Sequence, residues 1–302
     1  MVSTPNAAST GGVARRDVVD APIAGKLRLG IRVRNGRSYA ADQYHENALR
    51  VLKPLYLDDS GQVVYTMVNP GGAYLGADVY EIDVDIGANA SLLLTTQSAT
   101  KVYKTPQGPA RQRQRIRLAP GSVLESVPDQ VIVYREGRYL QETVVDMDPT
   151  ATLLMGEIVT PGWSPTGVSF AYEELRMRTE IRAELDGRPR RLAVDNLRIK
   201  PGEGPDVAGI GFMEGYSHTG QLLLADRRVQ DLIPELADLV EASSTRSSIS
   251  KAGADRPDGL ACCAIRSLAD RTGDIRDLHL GIANLVRDRW RGQRAIDLRK
   301  YS

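Results

Sequence analysis

Histidine and cysteine are scarce in this chain, three and two among 302 residues. The histidines, His45, His218 and His279, lie far apart in sequence and none has a partner at metal-ligand spacing, so no tight His/Cys metal site is expected. The cysteines are neighbours, Cys262 and Cys263, a poor disulfide pair with no CxxC spacing, which fits a reducing compartment. An excess of one charge is also missing. The 39 Lys+Arg and 38 Asp+Glu leave a net +1, which removes any overall attraction to nucleic acid or an anionic membrane. No apolar run approaches the length of a membrane span, and no apolar stretch follows Arg15-Arg16 to make an export signal. There is no Gly-x-Ser-x-Gly elbow and no P-loop, and "GIGFMEG" (Gly209–Gly215) has the wrong spacing for a dinucleotide fingerprint. These absences point to a soluble, cytoplasmic protein that binds neither nucleic acid nor membrane.

What is present is mostly strand. Residues 1–22 are Ser/Thr/Ala/Gly-rich without periodicity and read as a mobile leader, leaving 23–302 as a single domain. "VYEIDVDI" (Val79–Ile86) alternates strictly, with Tyr80, Ile82, Val84 and Ile86 opposite Glu81, Asp83 and Asp85. "LRMRTEIRAE" (Leu175–Glu184) does the same, while "RQRQRIRL" (Arg111–Leu118) is polar on both faces before turning apolar at Ile116. Asp186-Gly187 predicts a tight hairpin, and Asn69-Pro70-Gly71-Gly72, Ala119-Pro120-Gly121 and Pro161-Gly162 punctuate the other runs. The expected fold is an all-β body of many short strands with two C-terminal helices, at about 229–241 and 274–291. "SSTRSSISKAGADRPDG", about 243–259, reads as a flexible loop, and "LACCAIRSL" as a strand returning to the core. Spacing alone reveals no repeat that would mark a solenoid.

The candidate chemistry is carboxylate and hydroxyl. Asp78 opens a strand after a glycine-rich turn, Glu125 sits in "LESVPD" with Pro128 and Asp129, and Glu157 interrupts the apolar "TLLMGEIV". Such groups suit acid/base work, or oxygen ligation of a cation, or ordinary caps and ion pairs with the many arginines. "LLLTTQSATKVYKT" (Leu92–Thr105) runs from leucines into Thr95, Thr96, Gln97 and Ser98 and leaves through Lys101 and Tyr103. Taken alone it is also a strand end whose hydroxyls bond nearby backbone.

The segment "NPGGAYLGADVYEIDVDIGANASLLLTTQSATKVYKT" (Asn69–Thr105) resembles the signature of the UreD urease accessory protein family, called UreH in some bacteria. The likeness carries Asn69, Gly71, Gly72, Lys101 and Tyr103, and continues in order through Glu125 and Pro128 of "LESVPDQVIVY", "GEIVTPGWSPTG", "VDNLRI" and the "RDRW" helix end. Two departures stand out: Asp129, and Pro161-Gly162-Trp163 where many members have a Gly-Arg step. The resemblance implies a β-helix-like stack of strands and no catalysis by this chain. It implies a metallocentre-assembly scaffold that binds accessory protein F directly, the GTPase accessory protein G through F, and the urease apoprotein, with a dimer of the accessory complex possible. Nickel would be in transit through an internal passage, with no cofactor held tightly. Asp78, Thr95, Thr96, Gln97, Glu157 and Asp195 are the candidate passage residues, because weak oxygen ligands suit a conduit better than a tight cage. Two rivals are a β-helical enzyme acting on an acidic polysaccharide and a β-rich adaptor with no metal role.

Overall fold

The computed structural model describes residues 23–253 and 255–298; the expected leader at 1–22 lies outside them. The chain opens with a hairpin, β1 (Ile23–Arg34) and β2 (Arg37–Asn47), then the short β3 (Arg50–Val51) and β4 (Val63–Val68). It next winds in coils. β5 (Val79–Ile86) crosses one sheet, a short turn leads to β6 (Ser91–Thr96) in the other, and a long loop carrying β7 (Thr100–Val102) returns to the first. The second coil repeats this as β8 (Ala110–Leu118), β9 (Val123–Ser126) and β10 (Val131–Val133), and the third as β11 (Arg138–Met147), β12 (Thr152–Val159) and another long loop. A hairpin of β13 (Glu174–Leu185) and β14 (Arg188–Ile199) follows, then β15 (His218–Asp226), α1 (Val229–Ala242), β16 (Arg246–Ala252), β17 (Ala261–Ala269) and α2 (Thr272–Arg291).

Two sheets result. One has the order β14-β13-β11-β8-β5-β1-β2, the other β16-β17-β15-β12-β9-β6-β4-β3. Strands of successive coils pair in parallel, β5 with β8 with β11 with β13, and β4 with β6 with β9 with β12. The architecture is therefore a β-solenoid flanked by antiparallel strands. The short turns at 87–90, 119–122 and 148–151 stack at one end, and the long loops all lie at the other. Gly121, at φ +66°, sits where a Cβ would meet the Asn89 side chain at 2.4 Å, so the stacking of adjacent turns requires glycine there.

The two sheets differ in what covers them. The inner face of the first is apolar away from the loop end and its outer face is wet, so its strands alternate: Tyr80, Ile82, Val84 and Ile86 are buried while Glu81, Asp83 and Asp85 are half-exposed. The second sheet is covered on both faces. Leu222, Leu224 and Ile265 pack under Leu232 and Leu236 of α1 and Ile282 and Val286 of α2, which is why "LACCAI" reads as an unbroken apolar run and "TLLMGEIV" as one interrupted only by Glu157. Asp186 (φ 53°) and Gly187 (φ 70°) make the expected tight turn between β13 and β14.

One expectation is corrected. Within the segment read as a flexible loop, Arg246–Ala252 is β16, paired antiparallel with β17. It is an edge strand with only Ser247, Ile249 and Ala252 turned partly inward, so its composition stays polar while backbone hydrogen bonds hold it. The helices begin and end within two residues of the expected bounds.

Candidate internal passage and docking face

The long loops bring the strand ends "LLLTT", "VLES" and "LMGEIV" to one end of the solenoid, facing the starts of β5, β8, β11 and β13. Between the sheets at that end the core is not apolar. Gln112 and Gln114 of β8, Gln141 and Thr143 of β11 and Thr179 of β13 lie on the inner face of the first sheet in register with one another, and Asp195 of β14 completes the row beside Thr179. Gln114, Gln141, Thr143, Thr179 and Asp195 are all buried. Burying amides and hydroxyls costs free energy unless they are paired, so the row bonds inward: Tyr74 Oη donates to Gln112 Oε1 at 2.8 Å, Tyr139 Oη to Gln141 Oε1 at 2.9 Å and Thr143 Oγ1 to Gln114 Oε1 at 3.4 Å. Tyr74 also stacks on Tyr80, with ring centroids 3.6 Å apart, and stiffens the wall.

Two cavities open along this seam. The first, about 80 Å³, reaches from Asn69, Gly72, Ser98 and Asp129 at the loop end to Gln114, Gln141 and Glu157 inside. The second, about 140 Å³, is lined by Glu157, Asp195, Gln221 and Arg266 on the flank of the sandwich. Glu157 and Met177 line both. Gln141 Nε2 donates to Glu157 Oε1, and Arg266 Nη2 donates to Asp195 Oδ1. Burial pushes the Glu157 carboxyl up to about 7, and the nearby charge of Asp195 adds to the rise against the hydrogen bond from Gln141. A carboxyl poised near neutrality in a row of neutral oxygen donors can accept a cation and release it.

Of the residues singled out from sequence, Thr96, Lys101, Asn69, Gly72, Pro128 and Glu157 line the first cavity, and Glu157 and Asp195 the second. Thr96 Oγ1 accepts from the Asp129 backbone N–H at 2.8 Å. Thr95 and Gln97 do not line either cavity. Alternation along β6 turns Thr95 to the opposite face from Thr96, where its hydroxyl donates to the Val127 carbonyl at 2.6 Å. Gln97, past the strand end, donates its backbone N–H to the Met67 carbonyl. Asp78 also lies outside both linings: its carboxylate accepts from Leu75 N–H at 2.7 Å and Tyr80 Oη at 3.1 Å, closing the glycine-rich turn. Gly71 N–H is bonded by the Asn69 side chain in the preceding turn.

Glu125 has a structural post. It is fully buried on β9 and accepts from Gln62 Nε2 at 3.0 Å, from Arg287 of α2 and from Arg291. Arg287 also donates to Asp58 Oδ2 at 2.9 Å, so one cluster ties α2 to the solenoid. Sequence reading missed Gln112, Gln114, Gln141, Gln221, Arg266 and Arg287. For the first two a signal existed, since the glutamines of "RQRQRIRL" share the face of Ile116 and Leu118.

The loop end also carries exposed apolar side chains. Leu75, Tyr103, Trp163, Val168, Ile210 and Phe212 are all exposed there, with Trp163 at 51%. Tyr103, Tyr134 and Trp163 form a continuous row, centroids 4.8 and 4.9 Å apart. Among the described residues no group of three or more His, Cys, Asp or Glu is placed to hold a metal ion, and no helix is long and apolar enough to cross a membrane.

Comparison with known proteins identifies relatives along nearly the whole chain. The family model described as "UreD urease accessory protein" matches residues 24–301. A urease accessory protein UreD of Kocuria rhizophila is 54% identical, the match covering 92% of this chain and 89% of that protein. Another, from Paenarthrobacter aurescens, is 49% identical over 92% of this chain and 96% of its own length. One from Lachnoclostridium phytofermentans is 33% identical, covering 92% and 98%.

Proposed function

This chain belongs to the UreD urease accessory protein family, and on that premise we propose that it holds urease apoprotein together with its accessory partners in the cytoplasm while nickel passes through the solenoid. Proteins of this family are accessory factors in urease maturation and not themselves enzymes, which displaces the polysaccharide-active alternative. The direct partner is accessory protein F, through which the GTPase accessory protein G joins. The observation that carries the reading is the polar seam: a row of buried Gln, Thr and Asp side chains crossing a core that is otherwise apolar, with Glu157 at the junction of two cavities. Burying amides there costs desolvation that their hydrogen bonds only offset, and a solenoid that only bridged partners has no need of them.

Neutral amide and hydroxyl oxygens exchange a hydrated divalent cation readily, whereas clustered His and Cys would hold it. Thr96 and Asp129 stand at the loop-end mouth, Gln114 and Gln141 along the wall, Glu157 at the junction and Asp195 at the flank. The exposed aromatic row beside the mouth is rich in Tyr and Trp, as interface cores are, so a partner seated on it would seal the mouth from water. Deleting the gene in a urease-positive host tests the role: urease polypeptides should be present but nickel-poor, and fully loaded urease would contradict it.

A further inference from the structure

The flank cavity raises a question the proposed function leaves open: what stops an ion from staying there. Glu157 and Gln221 sit opposite one another on β12 and β15, and Gln221 is in register with Arg266 on β17. Asp195 faces this row from the other sheet. Two carboxylates in a cavity of about 140 Å³ would make a cation trap if left alone. They are not left alone. The Arg266 guanidinium lies on Asp195, whose side chain is only 7% exposed, while the Arg266 side chain itself is 59% exposed.

Resting on the passage reading above, we propose that Arg266 is an electrostatic latch: its guanidinium occupies the cation's place beside Asp195, swings into solvent when a divalent ion arrives, and returns to expel it. The asymmetry of exposure is what makes this workable. Asp195 needs a counter-charge because its carboxylate is buried. Arg266 can leave cheaply because most of its side chain already lies in water. A doubly charged ion attracts the pair of carboxylates about twice as strongly as the guanidinium at equal distance, so it can displace the arginine. Once the ion moves toward stronger ligands, the tethered guanidinium refills the site at high effective concentration. Arg266 is a positioning residue here and does not ligate the metal.

The test uses the full chain co-purified with its accessory partner, loaded with nickel chloride and passed over a desalting column, with nickel then measured by atomic emission. Arg266→Ala should retain at least about tenfold more nickel than the unaltered chain, because the trap is no longer neutralised. Arg266→Lys, which keeps the charge, should behave like the unaltered chain, and Arg266→Ala/Asp195→Asn should lose the added retention. A folded Arg266→Ala chain, checked by circular dichroism, that retains no extra nickel overturns the latch. Glu157→Leu, which removes the junction oxygens, run in parallel for delivery to urease separates the two ideas. Impaired delivery in Glu157→Leu with no retention in Arg266→Ala removes the latch alone, and normal delivery in Glu157→Leu removes the passage and the latch with it.

Discussion

Arg287 of α2 and Glu125 of β9 meet in the interior, Nη1 to Oε2 at 3.1 Å, with side chains 1% and 0% exposed. The pair joins residues far apart in sequence and fixes the C-terminal helix across the second sheet. Arg287→Met leaves Glu125 with less compensation in a buried site and is expected to destabilise the chain by about 3–5 kcal/mol. Arg287→Met/Glu125→Leu should cost clearly less than the two single changes added. Urea unfolding of the three variants measures this; strict additivity would mean the pair is not coupled.

Glu157 titrates unusually. Its carboxyl is raised to about 7 in the fold against 4.5 ordinarily, so between those values the folded chain holds a proton the unfolded chain has released. The stability this retained proton preserves is fully present below about 4.5 and is lost as pH rises through about 7. Glu157→Gln removes the penalty. Its unfolding midpoint should match the unaltered chain at pH 4 and exceed it at pH 8, by up to about 3 kcal/mol in stability. Equal midpoints at both pH values would contradict the burial assigned to this carboxyl.

Gly220 and Gly156 form the floor on which α2 rests. A Cβ on Gly220 would approach Ile275 Cγ2 at 2.2 Å, and one on Gly156 would approach His279 Nδ1 at 2.9 Å. Gly220→Ala should therefore push α2 away and cost about 1–3 kcal/mol. Thermal unfolding checks it, with Gly281→Ala as the comparison: it meets open space inside α2 and should gain up to about 1 kcal/mol from helix propensity.

The aromatic row predicts a binding phenotype larger than its folding one. Trp163→Ala removes a half-exposed ring that packs on Tyr134 and lies outside the buried core, so unfolding should change by no more than about 1.5 kcal/mol. Affinity for accessory protein F or for urease apoprotein should fall at least about tenfold, as for an interface hot spot. Unchanged affinity for both partners would remove this face as a docking surface.

Much of the fold was legible where one face of a strand meets water. Val79–Ile86 and Leu175–Glu184 alternate because the outer face of their sheet is uncovered. The coil repeat was not legible, because neighbouring coils share backbone pairing and a covered face, not side-chain identity. β16 was missed for the same reason: an edge strand held by backbone bonds needs few apolar residues. At the site, Glu157 stood out as a carboxylate inside an apolar strand, and Thr96 stood out at the end of "LLLTT". Thr95 fell on the wrong side because adjacent residues of a strand face opposite ways. Arg287 and Arg266 gave no signal, since an arginine in an amphipathic helix or on the exposed side of a strand looks like any solvated charge.

The most direct measurement is nickel per urease active site after activation in vitro with accessory complexes carrying either the unaltered chain or Gln141→Leu/Glu157→Leu, a change that greases the junction without touching the docking face. Complexes of normal composition that leave urease several-fold poorer in nickel are the predicted result. Urease loaded to the same level by both complexes would contradict passage through the solenoid.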